Sequence, residues 1–259
     1  MNRINKLQKL ISYIDKIEPN DELLRYIGTG NPNADILIVG KECSIDDKIS
    51  EQFEFELKNN FKNWQKKRNY NQDDVLEFNN WNDYDPIYPY KGQKFKINNG
   101  KNKGTSRTWY TYQKLINYIF ETPNNKNIDF HKKVFITEIN SKPSRKTKNA
   151  DISSIEFRKN KILKSDFFQS FPIVIISGVG YFKITKNNEI EEIFKVKYSE
   201  KKLAKGKQSQ PYWIHYNEAN EPSKLLINTY QLSIGIADCL LEEVAKMIKK
   251  QIERIKSKS

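Results

Sequence analysis

Two residues of this chain stand where chemistry could begin. Glu42 follows the run Ala34-Asp35-Ile36-Leu37-Ile38-Val39-Gly40-Lys41, and Asn228 closes the run Leu225-Leu226-Ile227. Each run is apolar and stops abruptly at polar residues. A carboxylate can stabilise a growing positive charge or orient a water, and an amide can donate to a growing negative charge. In an open parallel sheet, ligands bind where such strands end. If the two runs are neighbouring strands of one sheet, Glu42 and Asn228 face each other across one cleft.

Hydrophobic spacing predicts the elements that must hold them. Ile4, Leu7, Leu10, Ile11 and Ile14 fall on one helical face over 3–17, and a short helix follows over 21–27. After the strand 35–39, Ser44 can cap a long helix reaching Lys67. Residues 69–104 form an inserted loop rich in aromatics, including Trp81, Tyr84, Tyr88, Tyr90 and Phe95. A loop of that length inside a domain is usually functional or disordered, and its aromatics argue for the former. Then come a helix over 105–120, a strand over 133–139, an amphipathic helix over 153–168 and a buried strand over 171–177. That last strand closes at the tight turn Gly178-Val179-Gly180. An antiparallel excursion over 189–216 precedes the strand 224–228 and a final helix over 234–255. Strands alternating with helices predict an α/β fold. The expected form is a three-layer α/β/α domain with a central four-stranded, mainly parallel sheet and a small antiparallel excursion.

Composition bounds the rest. The chain has 259 residues with no Gly/Ser/Pro-rich linker, which predicts a single domain over 1–259. Its net charge is +13, the usual footprint of a nucleic-acid partner. The basic tail 250–259 reads as a solvated helix end. No apolar run approaches the ~18 residues of a membrane span, and Met1-Asn2-Arg3-Ile4-Asn5-Lys6 has no apolar signal core. Two cysteines, Cys43 and Cys239, predict a reducing, cytoplasmic home rather than a disulfide framework. Two histidines without a Cys/His cluster predict no metal site. We expect no cofactor and a monomer.

The motif-bearing strand ends resemble those of the uracil-DNA glycosylase superfamily, whose four core strands carry functional motifs at the ends of the first, second and fourth. Gly40-Lys41-Glu42-Cys43-Ser44 takes the place of its first motif, which reads Gly-Gln-Asp-Pro-Tyr in one branch. Glu42 falls where that branch has a water-activating Asp. Ile136-Thr137-Glu138-Ile139-Asn140-Ser141-Lys142-Pro143 resembles an Ile-Thr-Asn-x-x-Lys-x-x-Pro motif, with Glu138 at the base-reading Asn. Phe171 to Gly180 resembles the third strand and its end. Asn228-Thr229-Tyr230-Gln231-Leu232-Ser233 resembles His-Pro-Ser-Pro-Leu-Ser, whose His aids catalysis and whose Leu wedges into DNA. The resemblance covers most of 34–250, outside the 69–104 loop and the excursion. The chain departs from it at the motif-one Pro, at the base-reading Asn and at the His-Pro pair.

The resemblance implies a monofunctional DNA glycosylase that flips a base and hydrolyses its N-glycosidic bond. Such chemistry needs a carboxylate for the sugar cation, a donor for the departing base and a wedge for the gap. It assigns catalysis to Glu42 and Asn228, base binding to Glu138, Asn140 and Trp109, and intercalation to Leu232. DNA contacts fall to Lys41, Gln231 and Ser233. An ionised carboxylate only accepts hydrogen bonds, so Glu138 suits a donor-rich edge such as the exocyclic amine of cytosine, not uracil. Asn140, two residues on, shares its side by strand alternation. The expected substrate is therefore a modified or damaged pyrimidine, with modified cytosine in foreign phage DNA as the leading case. Repair and antiviral defence are the implied processes. The alternatives are a catalytically inactive DNA-binding protein on the same fold and a nucleotide-processing hydrolase. Each residue also has a plainer role. Glu42 can sit at a helix N-terminus, Asn228 can cap a helix, Leu232 and Cys43 can be core, and Glu138 can pair with a Lys or Arg.

Overall fold

Four runs rich in aliphatic residues become the parallel centre of one sheet, because each is buried on both faces and only continuous apolar runs tolerate that. The computed structural model describes residues 6–16, 26–44, 59–67, 86–87, 105–122, 128–144, 146–178, 180–183, 188–205, 209–233 and 235–258. In chain order the elements are α1 (Lys6–Asp15), β1 (Thr29–Gly30), β2 (Ile36–Gly40), α2 (Asn60–Lys66) and α3 (Arg107–Phe120). Next come β3 (Val134–Glu138), α4 (Ile155–Phe157) running into a π turn (Arg158–Ile162), α5 (Asp166–Gln169) and β4 (Ile173–Ser177). They are followed by α6 (Glu189–Phe194), β5 (Lys197–Ala204), β6 (Gln210–Tyr216), β7 (Leu225–Thr229) and α7 (Asp238–Ser257).

The sheet order is β1-β3-β2-β4-β7-β6-β5. Strands β3, β2, β4 and β7 are parallel neighbours, while β1, β6 and β5 pair antiparallel at the two sides. Alternation divides the strand residues between two helical layers. Leu37, Val39, Phe135, Val174, Ile176 and Leu226 face one layer, built from α1, α2, the 155–169 segment and α6. Ile36, Ile38, Val134, Ile136, Ile173, Ile175, Leu225 and Ile227 face the other, built from α3 and α7. Helix α1 contributes Leu7, Leu10, Ile11 and Ile14, and α7 contributes Leu240, Leu241, Val244, Ala245 and Ile248, each a single apolar stripe. Phe135 centres the first layer, with the rings of Trp64, Phe167, Phe168 and Phe171 at 5.1–6.0 Å.

Two expectations need correction. The excursion is not separate from the four-stranded core. Its hairpin hydrogen-bonds to β7, pairing Tyr212 with Thr229 through Tyr216 with Leu225, so the sheet has seven strands among the described residues. An unpaired β7 edge would expose backbone donors and acceptors; the hairpin covers them and leaves the lysine-bearing β5 at the edge. Second, the helix expected over 153–168 is broken. A π turn at 158–162 and a gap before α5 replace its middle, because Arg158 is drawn fully inside. The helix expected over 21–27 lies mostly outside the described residues, and Tyr26 and Ile27 are not helical. Of the helix expected from Ser44 to Lys67, only 60–66 is described as helical and 45–58 lies outside. The 69–104 loop lies outside too, apart from Pro86 and Ile87. Among the described residues no helix is long and apolar enough to cross a membrane.

His131 is 2% exposed beside Phe130 and Trp109. Burial, helped by Lys132, lowers its pKa from 6.5 to about 3. An unfolded imidazole takes a proton near pH 6.5 while the folded one refuses it, so the unfolded state gains protons first as pH falls. Stability should therefore be full above pH 6.5 and fall below it, by up to about 1.4 kcal/mol per pH unit. Urea unfolding at several pH values between 7 and 4 checks this. His131→Gln should flatten the dependence, and equal slopes in both proteins would remove His131 as its cause.

Candidate active site

Chain connectivity opens the site. From β2 the chain leaves for β3 on one side, and from β4 it leaves for β7 on the other. The loops diverge at the carboxyl ends of β2 and β4, the switch point where open α/β sheets bind ligands. A solvent-open cleft of about 160 Å³ lies there. Lys41, Glu42, Glu138, Trp109, Ser177 and Gln231 line it, with Gly40 and Tyr112 among its other walls.

Glu42 comes just after β2 and is half-buried. Both carboxylate oxygens are engaged: Thr147 Oγ1 donates to Oε1 at 2.5 Å, and the Tyr181 hydroxyl donates to Oε2 at 2.5 Å. Hydrogen bonds to an ionised oxygen are the short, strong kind and fix its direction. Burial first, and then Glu42, hold the Tyr181 phenol well above its ordinary range. Lys41 completes this corner. Its stem packs so close to Gly178 that a Cβ there would meet Lys41 Cγ at 3.0 Å, and its ammonium lies 5.5 Å from the Tyr181 ring.

Glu138 ends β3, level with Gly40. Its carboxylate lies directly over Gly40: a Cβ there would fall 2.1 Å from Oε2, so any side chain at 40 would push the carboxylate aside. The end of β3 is clamped from behind by Arg158, which is fully buried. Arg158 donates to the carbonyls of Glu138 at 2.8 Å and Tyr26 at 2.5 Å, and to Thr137 Oγ1 at 2.8 Å. Burial lowers the Arg158 pKa to about 10. On the opposite wall, Ser106 caps α3 by accepting from the Trp109 amide at 3.3 Å, which sets the Trp109 and Tyr112 side chains over the cleft. The Trp109 ring packs edge-on against Phe130 at 5.4 Å. Burial, then the charge of Glu138, push the Tyr112 phenol far up, with Ser177 as its hydrogen-bonding neighbour acting the other way.

The fold therefore gathers Glu42, Glu138, Trp109, Lys41 and Gln231 in one cleft, and it leaves out Asn228, Asn140, Leu232 and Ser233. Asn228 is not on a neighbouring strand to Glu42, since β4 lies between β2 and β7 and sets them roughly 10 Å apart. It pairs with Ile176, one residue below the strand end, and is 2% exposed. Its Oδ1 is buried without a hydrogen-bond partner. Asn140 is fully buried and occupied: Nδ2 donates to the Asp151 carbonyl, and Oδ1 accepts from Ser154 Oγ and the Lys142 amide. Its amide is spent on the turn at 151–154, so it does not line the cleft beside Glu138. Leu232 is core, not wedge. Its amide donates to Ser177 Oγ at 2.7 Å, and its side chain, 2% exposed, packs between α3 and α7. Ser233 is half-buried beside α3, its carbonyl 3.5 Å from Thr111 Oγ1.

Sequence reasoning missed Thr147, Tyr181, Tyr112 and Arg158. Arg158 alone left a signal: with Ile155 and Ile162 it falls on one stripe of the 153–168 segment, where a charge is out of place. Among the described residues no group of three His, Cys, Asp or Glu could hold a metal ion. No protein-family model matches this chain, and no curated protein does either.

The hydrogen bond between Tyr181 and Glu42 can be checked directly. Glu42→Gln removes the charge that opposes ionisation of Tyr181, so Tyr181 should titrate at lower pH. Phenolate absorbance, read as the difference between each protein and its Tyr181→Phe partner, measures this. A Tyr181 titration unmoved by Glu42→Gln would show that the carboxylate does not hold the phenol.

Proposed function

We propose that this chain is a DNA glycosylase with a uracil-DNA glycosylase-like fold, acting on a modified cytosine or related pyrimidine. The observation that carries the reading is the meeting of two carboxylates and an indole, Glu42, Glu138 and Trp109, in one switch-point cleft. Glu42, held by Thr147 and Tyr181, stabilises the sugar cation and orients the attacking water. Gln231 replaces Asn228 as the amide donor to the departing base, because it lines the cleft and Asn228 does not. Glu138 accepts from the exocyclic amine, and Trp109 offers a stacking face. The rim is basic: Lys41 lines the cleft, and Lys146 and Lys148 flank the Thr147 that holds Glu42, exposed for phosphate contacts. We further propose a cytoplasmic monomer acting in repair or against foreign DNA. Neither Cys43 nor Cys239 is in a disulfide, which suits a reducing compartment.

A second reading, a DNA-binding protein without catalysis, has one observation in its favour. The motif amide Asn228 lies beneath the rim, out of the cleft.

Abasic-site formation on a panel of duplexes containing uracil and modified cytosines separates the two. Excision by wild type, with at least a ~100-fold loss in Glu42→Gln, is the expected result. Tight binding without abasic sites on any member would leave the second reading. Activity on free nucleotides alone would indicate a nucleotide hydrolase. Binding should weaken with salt, the log–log slope being about 0.9 per phosphate neutralised. If Glu138 reads the base, Glu138→Gln should change which base is accepted by about 1–3 kcal/mol of discrimination while leaving DNA affinity nearly intact. Efficient uracil excision by wild type would overturn the assignment of Glu138 to a donor-rich edge.

A further inference from the structure

We propose that the Trp213-bearing face of the β5–β6 hairpin is a platform for an unpaired DNA strand, with Tyr230 as its first stacking surface; this rests on the glycosylase reading of the cleft that the next residue, Gln231, lines. The platform is built by register. Lys201 on β5 pairs with Trp213 on β6, and Trp213 pairs with Asn228 on β7. Three side chains therefore lie in one row across β7, β6 and β5, on the sheet face opposite to that of Ile214 and Ile227. Tyr230 follows β7 directly and precedes Gln231, which lines the cleft. Its ring lies 6.4 Å from that of Trp213, edge to face, and the Lys201 ammonium lies 5.7 Å from Trp213 on the other side.

These groups are available. Tyr230 is 43% exposed, Lys201 is exposed, and Leu203, two residues along β5 on the same face, is 55% exposed. An exposed tyrosine braced by a tryptophan and followed by a cation is the make-up of a single-strand surface: rings for base faces, ammonium for phosphate. With two strand spacings of about 4.8 Å each, the row from β7 to β5 spans roughly 10 Å, room for one or two nucleotides. Asn228 lies on this same face beside Trp213 and is buried. The net charge of +13 favours a polyanion over a protein segment as the occupant.

The test uses a fluorescein-labelled single-stranded 12-mer of unmodified thymidines and anisotropy titrations with the full chain. This probe carries no modified base, so the result does not depend on excision. Tyr230→Ala should weaken binding about five- to 150-fold with an unchanged salt slope, while Tyr230→Phe keeps wild-type affinity. Lys201→Gln should lower the salt slope by about 0.7. Unchanged affinity in Tyr230→Ala would overturn the proposal, as would equal weakening in Tyr230→Ala and Tyr230→Phe. A wild-type dimer in sedimentation that Tyr230→Ala dissociates would reassign the face to self-association. Excision on the duplex panel, measured in the same variants, reports separately on the cleft.

Discussion

The four parallel strands are buried on both faces, and that constraint governs everything else in this chain. On a strand between two helical layers an unsatisfied polar group is costly, so polar chemistry gathers at the strand ends. Residues of β2, β3 and β4 from Ile36 to Val39, Val134 to Ile136 and Ile173 to Ile176 are accordingly apolar, and Glu42, Glu138 and Ser177 appear only where the strands stop. The divergence of the chain after β2 and β4 then keeps those ends uncovered by a connecting loop. Cleft and carboxylates thus share one cause.

Holding two carboxylates in one small cleft is costly unless donors surround them. The two are stabilised differently. Glu42 is met by hydroxyls from two distant loops, through Thr147 and Tyr181. Glu138 is set by backbone: Arg158 takes its carbonyl, and Gly40 leaves room for its carboxylate. Arg158 is carried by carbonyl and hydroxyl oxygens, so its charge is spread over the end of β3 and the segment at Tyr26. The π turn beginning at Arg158 is the local consequence. Widening the helix by a residue lets the guanidinium reach inward where an unbroken helix would carry it past.

The antiparallel hairpin changes what the rim can do. By pairing with β7 it lays Trp213 beside Asn228 and Tyr230 and extends the surface away from the cleft. Gln210 ties the hairpin to the segment after Leu232, donating to the Gly235 carbonyl and accepting from the Ala237 amide. The same segment is drawn inward by Leu232, whose amide donates to Ser177. Burying Leu232 leaves its neighbours Tyr230 and Gln231 at the surface and the cleft.

Local pattern was enough to determine the α/β class, the four parallel strands, the stripe of α1, the helices α3 and α7, and Glu42, Glu138 and Trp109 as residues at strand ends or a helix start. Each of these depends on spacing within a dozen residues, where two-sided burial and helical periodicity write a readable signature. Tertiary structure alone decided the rest. Strand order put β4 between β2 and β7 and parted Asn228 from Glu42. Packing between α3 and α7 turned Leu232 inward, and the 151–154 turn consumed the amide of Asn140. The residues that orient Glu42 lie 105 and 139 positions away from it. A hydrogen bond between residues so far apart leaves no periodic trace in the chain. It exists only because the folded sheet brings three loops to one edge.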